Sequence, residues 1–306
     1  MQAIRNFYKS VIGMSVYLKL PIFFSVLICC INAKEVRIAV SDLLADTVVD
    51  TLMLHAQEKD LQFKIDSIGS LPALDKLNAG ELDMALIAIP SRSTQPSSNY
   101  QLYPFAYSTS IIAVNVNNPL DEISINRLSG TFGSHEELSL SKWSEIGLSG
   151  WGNRSIKPIV GQLEGSISLE LFKHVALEDG KIRSTVSLLK NNAALSIISN
   201  DVAAIAILPT NPQDRYIKVL SVAKEQDSPA FEPSDDNIHY GDYPFRLSFY
   251  IALLKSEVPN LAHVVEALLS DSVANVLSDS HFVPIPYNVR QQLQMDLTLR
   301  SKRVVK

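Results

Sequence analysis

Residues 35 to 90 constrain the fold of this chain more than any other stretch. "EVRIAVSD" (35–42) alternates in polarity and is β-branched, the pattern of a half-buried strand. "LADTVVDTLMLHAQEKD" carries apolar residues at helical spacing. "LQFKIDSIGS" reads as a second strand ending in Gly69-Ser70, "LPALDKLNAGE" as a short helix stopped by Gly80, and "LDMALIAIP" as a buried strand closed by Pro90. Parallel neighbours need a long crossover, and a helical crossover must cover a face of the sheet. This order therefore predicts an α/β unit with a parallel sheet. In such sheets ligands sit at the carboxyl ends of the strands, beside helix starts. Ser41, Asp42, Ser70 and Ser91 occupy those ends.

Beyond residue 90 the pattern changes. "TSIIAVNVNNPL" reads as a strand leaving the first unit, and "SINRLSGTFG" and "SLSKWSEIGLSGWG" as short helix and turn segments. "RSIKPIVGQ" reads as a strand that runs into "GQLEGSISLELF" (161–172). There Gly161, Gly165, Ser166 and Ser168 precede an apolar face of Leu169, Leu171 and Phe172. Small hydroxyl residues at a helix start cap free backbone N–H groups, and the same end of a helix binds anions. "AALSIISND" and "VAAIAILP" follow as a helix end and a strand. "NPQDRYIKVLSV" reads as the start of a crossing back, and residues 224–243 as a polar loop. "PFRLSFYIALLK" is a last strand, "VPNLAHVVEALLSDSVANVLSDS" a helix pair, and "RSKRVVK" a solvated tail. The expected organisation is two lobes: residues 34–112 in the first, 113–242 in the second, and 243–306 returning to the first with C-terminal helices. A cleft between lobes is a usual small-molecule site.

The N-terminus, "MQAIRNFYKSVIGMSVYLKLPIFFSVLICCINAKE", has Arg5, Lys9 and Lys19, then an apolar run from Leu20 to Ile31 and a small residue at Ala33. This is the three-part pattern of a secretory signal over residues 1–33, with Met14 as an alternative start and the periplasm as the destination. Both cysteines, Cys29 and Cys30, lie inside it, so the processed chain would have no disulfide and no cysteine ligand or nucleophile. Ile28 before Cys29 fits a lipoprotein signal poorly. Processing would leave 24 basic against 32 acidic residues, a net charge of −8. That balance, without a basic stripe bearing aromatics, argues against nucleic acid as a partner.

Nothing in the motifs points to catalysis. The six histidines have no metal-ligand spacing, and neither a nucleophile elbow nor a phosphate-binding loop with its lysine is present. No catalytic residue, metal or cofactor is expected, and the chain is read as a monomer.

Several segments, taken in order, resemble the phosphate-binding proteins of phosphate ABC transporters. "LSGTFGSHEELSLSKWSEIG" resembles the family's Phe-Gly element with its Trp-Ser turn, and "NNPL" its Asn-Pro. "AAIAILP" stands where a Gly-Tyr strand is usual, "YPFRLSFYIAL" resembles the returning Tyr-Pro strand, and "HFVPIP" the closing Phe-x-Pro. The resemblance implies a type 2 periplasmic binding protein fold, with two α/β lobes of mixed sheet flanked by helices and an oxyanion, phosphate first, held between them. Through it Gly165, Ser166 and Ser168 fall on the family's Gly-Ser-Gly-Thr ligand loop, and Ser41 and Ser70 on its first two loops, while Asp42 is a candidate from its place at the end of the first strand. Gln162 falls where the family has an arginine, which removes a bidentate cationic clamp. Ser91-Arg92 come later than the family's Ser-Arg, and Arg92 is the candidate replacement cation. The implied function is a non-catalytic solute receptor feeding a membrane permease. The alternative is a sensor or adaptor of the same fold that has lost tight phosphate binding and regulates a membrane partner.

Overall fold

The computed structural model describes residues 35–59, 61–90, 99–134 and 139–304. The expected signal segment, Ser91 and Arg92 lie outside them. The chain begins with β1 (Val36–Val40), α1 (Ala45–Glu58), β2 (Phe63–Ser67), α2 (Ser70–Asn78) and β3 (Met84–Ile89). The order of these elements is the one the sequence periodicity dictates. β1 pairs in parallel with β2, Val36 opposite Phe63, and with β3, Ile38 opposite Met84. The apolar stripe of α1, with Val48, Leu52 and Ala56 buried, and that of α2, with Ala73 and Leu77 buried, cover the sheet.

Next come β4 (Tyr100–Thr109), β5 (Ile111–Asn115), β6 (Glu122–Ser124), α3 (Ile125–Phe132), β7 (Lys157–Gln162), α4 (Ser168–Ala176), β8 (Ser187–Lys190), α5 (Asn191–Asn200) and β9 (Ala204–Leu208). After these lie β10 (Ile217–Val219), β11 (Ser221–Ala223), β12 (Ala230–Phe231), α6 (Asp235–Tyr240), β13 (Arg246–Leu254), α7 (Val258–Leu268), α8 (Asp271–Asp279), β14 (Val283–Pro284) and α9 (Tyr287–Val304). Three sheets result: β14-β4-β13-β3-β1-β2, β10-β5-β9-β7-β8, and the small β12-β11-β6. The two large sheets are both mixed, and helices flank them, which is the two-lobed architecture the resemblance implies.

The chain leaves the first sheet at the end of β4 and enters the second at Ile111, so Ser110 alone separates them. Ser110 is fully buried. Its N–H donates to the carbonyl of Phe245 at 3.2 Å, its carbonyl accepts the Tyr243 hydroxyl at 2.7 Å, and its own hydroxyl donates to the carbonyl of Ser168 at 2.5 Å. The returning segment just before β13 is thus tied to the outgoing one, and both to the start of α4. Tyr243 and Phe245 pack edge to face, and Phe245 stacks on Phe172 of α4 at 5.3 Å between ring centres.

Four features depart from the sequence reading. β4 is a full strand inside the first sheet, although Pro104 breaks its pattern. Proline cannot donate to a ladder, and the pairing with β13 shifts register there: Phe249 faces Ala106 and Tyr250 faces Pro104, so Phe105 is the extra residue of a bulge. The segment expected to begin a crossing back instead adds β10 to the edge of the second sheet, Ile217 opposite Asn115. The polar stretch expected as a loop holds α6, whose start is capped by the Ser234 hydroxyl accepting from Asn237 N–H at 3.3 Å. Finally, α9 runs through most of the expected tail. Its few buried residues include Arg290, which donates to the carbonyl of Ile285 at 2.9 Å and to Asp271 at 2.6 Å, and Leu297.

Two measurements test this packing. Tyr243→Phe strands the buried Ser110 carbonyl, and an unmet buried acceptor costs about 1–3 kcal/mol; chemical denaturation should show a loss in that range, and an unchanged midpoint would refute the tie. Burial also pushes the imidazoles of His55, His239 and His263 below their ordinary range. The unfolded chain then binds more protons than the native one once the pH drops below about 6.5, so stability falls with falling pH in that window. The denaturation midpoint should be lower at pH 5.5 than at pH 7.5, and His55→Gln with His263→Gln should flatten the slope.

Candidate functional site

A cavity of about 770 Å³ is walled by residues from both large sheets. Cavities of about 750 and 530 Å³ flank α1, but neither gathers residues from both sheets. One wall of the shared cavity is the turn after β1 and the start of α1: Asp42, Leu43, Asp46 and Thr47. The opposite wall is the turn after β7 and the start of α4: Glu164, Gly165, Ser166, Ile167 and Glu170. Ser108, at the end of β4, and Ser280, His281 and Phe282, between α8 and β14, close it. Both walls lie at carboxyl ends of strands, where the crossover topology leaves helix starts facing a crevice.

The β7–α4 turn forms for local reasons. Gly161 has no room for a side chain, since a Cβ there would meet Asn191 at 2.7 Å and Leu208 at 3.0 Å. Gly165 has φ +75 with open space around it, so backbone conformation and not crowding favours glycine there. The Ser166 hydroxyl accepts from the Ser168 N–H at 3.2 Å. Leu171 and Phe172 then anchor α4 in the core.

The residues expected to face a ligand divide into two groups. Asp42, Gly165 and Ser166 come together on the cavity walls. The Asp42 carboxylate accepts from the Leu43 N–H at 3.2 Å and from the Ser41 hydroxyl at 3.4 Å. Ser41, Ser70, Gln162 and Ser168 stand outside the lining. Ser41 is fully buried and its N–H donates to the Leu86 carbonyl at 2.8 Å. Ser70 begins α2 and its hydroxyl accepts from the Ala88 N–H at 2.8 Å, joining that helix to β3. Gln162 ends β7, exposed, opposite Lys190 of β8. Ser168 is buried beneath α4, where its carbonyl takes the Ser110 hydroxyl.

The lining contains four carboxylates that the sequence reading did not assemble as a set: Asp42, Asp46, Glu164 and Glu170. No lysine or arginine lines the cavity among the described residues. Arg246 borders a neighbouring cavity of about 250 Å³ that shares Ile167 and Glu170. Its guanidinium is held by the carbonyls of Ile238 and His239 at 2.5 and 2.7 Å and lies over the Tyr107 ring. No group of three or more His, Cys, Asp or Glu residues suited to a metal ion occurs among the described residues.

The crevice lies between two α/β lobes, walled by helix starts and lined by hydroxyls and carboxylates. The model of the PBP superfamily domain matches residues 32–271, and the chain belongs to that family. No curated protein sequence matches it. Among solved structures it is similar to a possible phosphate binding protein from Planctomyces limnophilus, with 17% identity, a TM-score of 0.64, and coverage of 87% of this chain and 98% of that one. It is likewise similar to PstS from Borrelia burgdorferi, with 16% identity, a TM-score of 0.66, and coverage of 83% and 99%. An ABC-type phosphate transport receptor from Vibrio cholerae matches with 16% identity, a TM-score of 0.57, and coverage of 82% and 100%. The fold is the type 2 periplasmic binding fold of these PstS-like proteins.

The hydrogen bond in the turn before α4 has a measurable consequence. Ser166→Ala removes the acceptor of the Ser168 N–H, and such a neutral hydrogen bond contributes about 1 kcal/mol. Thermal unfolding should report that loss, while Ser166→Asn, which retains an acceptor, should recover most of it.

Proposed function

We propose that the protein is a non-catalytic receptor of the bacterial envelope, exported by its N-terminal signal, whose two lobes close on a small solute. Closure would bury the solute against the starts of α1 and α4 and present a changed surface to a membrane partner. The family resemblance favours phosphate as the solute and an ABC-type uptake system as the partner. The lining of the cleft favours the other form of the same reading, a sensor or adaptor that has lost tight phosphate binding. Four carboxylates and no lysine or arginine among the described lining residues carry that choice. A phosphate dianion entering such a cleft meets like charge on both walls, and hydroxyls and backbone N–H groups supply only neutral donors.

Calorimetric titration of the processed chain with phosphate at pH 7.5 tests this. The expected result is no saturable binding tighter than about 0.1 mM, which corresponds to roughly −5.5 kcal/mol. A micromolar dissociation constant would instead support the uptake receptor.

A further inference from the structure

The missing family arginine is the obvious reason for weak phosphate binding, but Gln162 is poorly placed to provide it. It ends β7 outside the lining of the cleft, exposed and opposite Lys190. Glu164 and Glu170, in contrast, do line the cleft, and they bracket one of its two helix starts, that of α4. A helix carries about half a positive charge at this end, on N–H groups that lack intrahelical acceptors. Glu170 is in the first turn of α4, where a carboxylate offsets that charge. Glu164 sits on the lip next to Gly165, whose positive φ turns the backbone into the helix. The Ser168 N–H is already satisfied by the Ser166 hydroxyl. One of the donors at the start of α4 is thus met within the protein, and the charged side chains on that wall of the cleft, Glu164 and Glu170, are both negative.

We infer that Glu164 and Glu170 are the specificity-determining residues of the cleft: they repel anions from the start of α4 and restrict the cleft to solutes without net negative charge. This rests on the receptor reading above and names the class of solute it admits. A carboxylate about 6 Å from a bound anion in a water-accessible cleft weakens binding by roughly five- to tenfold. Asp42 and Asp46 on the facing wall, beside the start of α1, act in the same direction.

The test compares phosphate titrations of the processed wild type, Gln162→Arg, and the double variant Glu164→Gln, Glu170→Gln. All are run to millimolar phosphate at one constant ionic strength, because screening alters such terms. Both glutamates are exposed and glutamine is isosteric, so the double variant should fold, with only a small drop in melting temperature from losing the Glu170 carboxylate at the helix start. The double variant should bind phosphate about tenfold or more tightly than wild type, and Gln162→Arg should change affinity by less than about threefold. A tenfold gain from Gln162→Arg with no gain from the double variant would overturn the inference, as would no gain from either. The ratio between variants decides this point whatever the wild-type affinity. Tight wild-type binding would by itself sink only the proposed loss of phosphate affinity.

Discussion

Ser110 has no free polar group: its N–H, carbonyl and hydroxyl are each bonded inside the protein, to the Phe245 carbonyl, the Tyr243 hydroxyl and the Ser168 carbonyl. Because the residue is fully buried, each of those bonds would be costly to leave unmade. The outgoing strand, the returning segment and the start of α4 therefore meet at one point. Burial drives the Tyr243 hydroxyl far above its ordinary pKa, so it stays a proton donor at any physiological pH. The six-stranded and five-stranded sheets, each internally paired, are joined through this junction and the aromatic stack of Phe172 on Phe245.

The chemistry of the cleft follows from that junction. Ser168 is held from below by Ser110, which leaves the residues just before and after it to face the crevice. The Ser166 hydroxyl accepts from the Ser168 N–H, and Glu164 and Glu170 stand beside it on the wall. Facing them, the β1–α1 turn presents Asp42 and Asp46. The crevice of this fold thus carries acidic side chains on both of its walls. Fold places a crevice at the carboxyl ends of strands, but the side chains there decide what enters it.

Much of this was legible without coordinates. Strand-helix alternation over residues 35–90 gave the parallel core of the first sheet, since a buried apolar run and an amphipathic stripe have distinct periods. The helix start in "GQLEGSISLELF" was equally readable, because small hydroxyl residues before an apolar face are a local signal. β4 was not, because Pro104 interrupts its pattern and only a bulge opposite Tyr250 accommodates it. Nor was α9, whose helical stripe is mostly polar and whose hold on the fold includes the buried Arg290 paired with Asp271.

The sequence by itself determined which segments become strands and helices and which turns carry hydroxyl and acidic residues, since those are properties of local period and residue type. Only the tertiary structure decided that Ser41, Ser70 and Ser168 are occupied within the lobes, that Gln162 stands outside the lining, and that Asp42, Asp46, Glu164 and Glu170 share one crevice. Glu164 and Asp42 are far apart in the chain, and no local pattern encodes that two strand ends from different sheets will face each other. That pairing comes from the packing of the two lobes about Ser110.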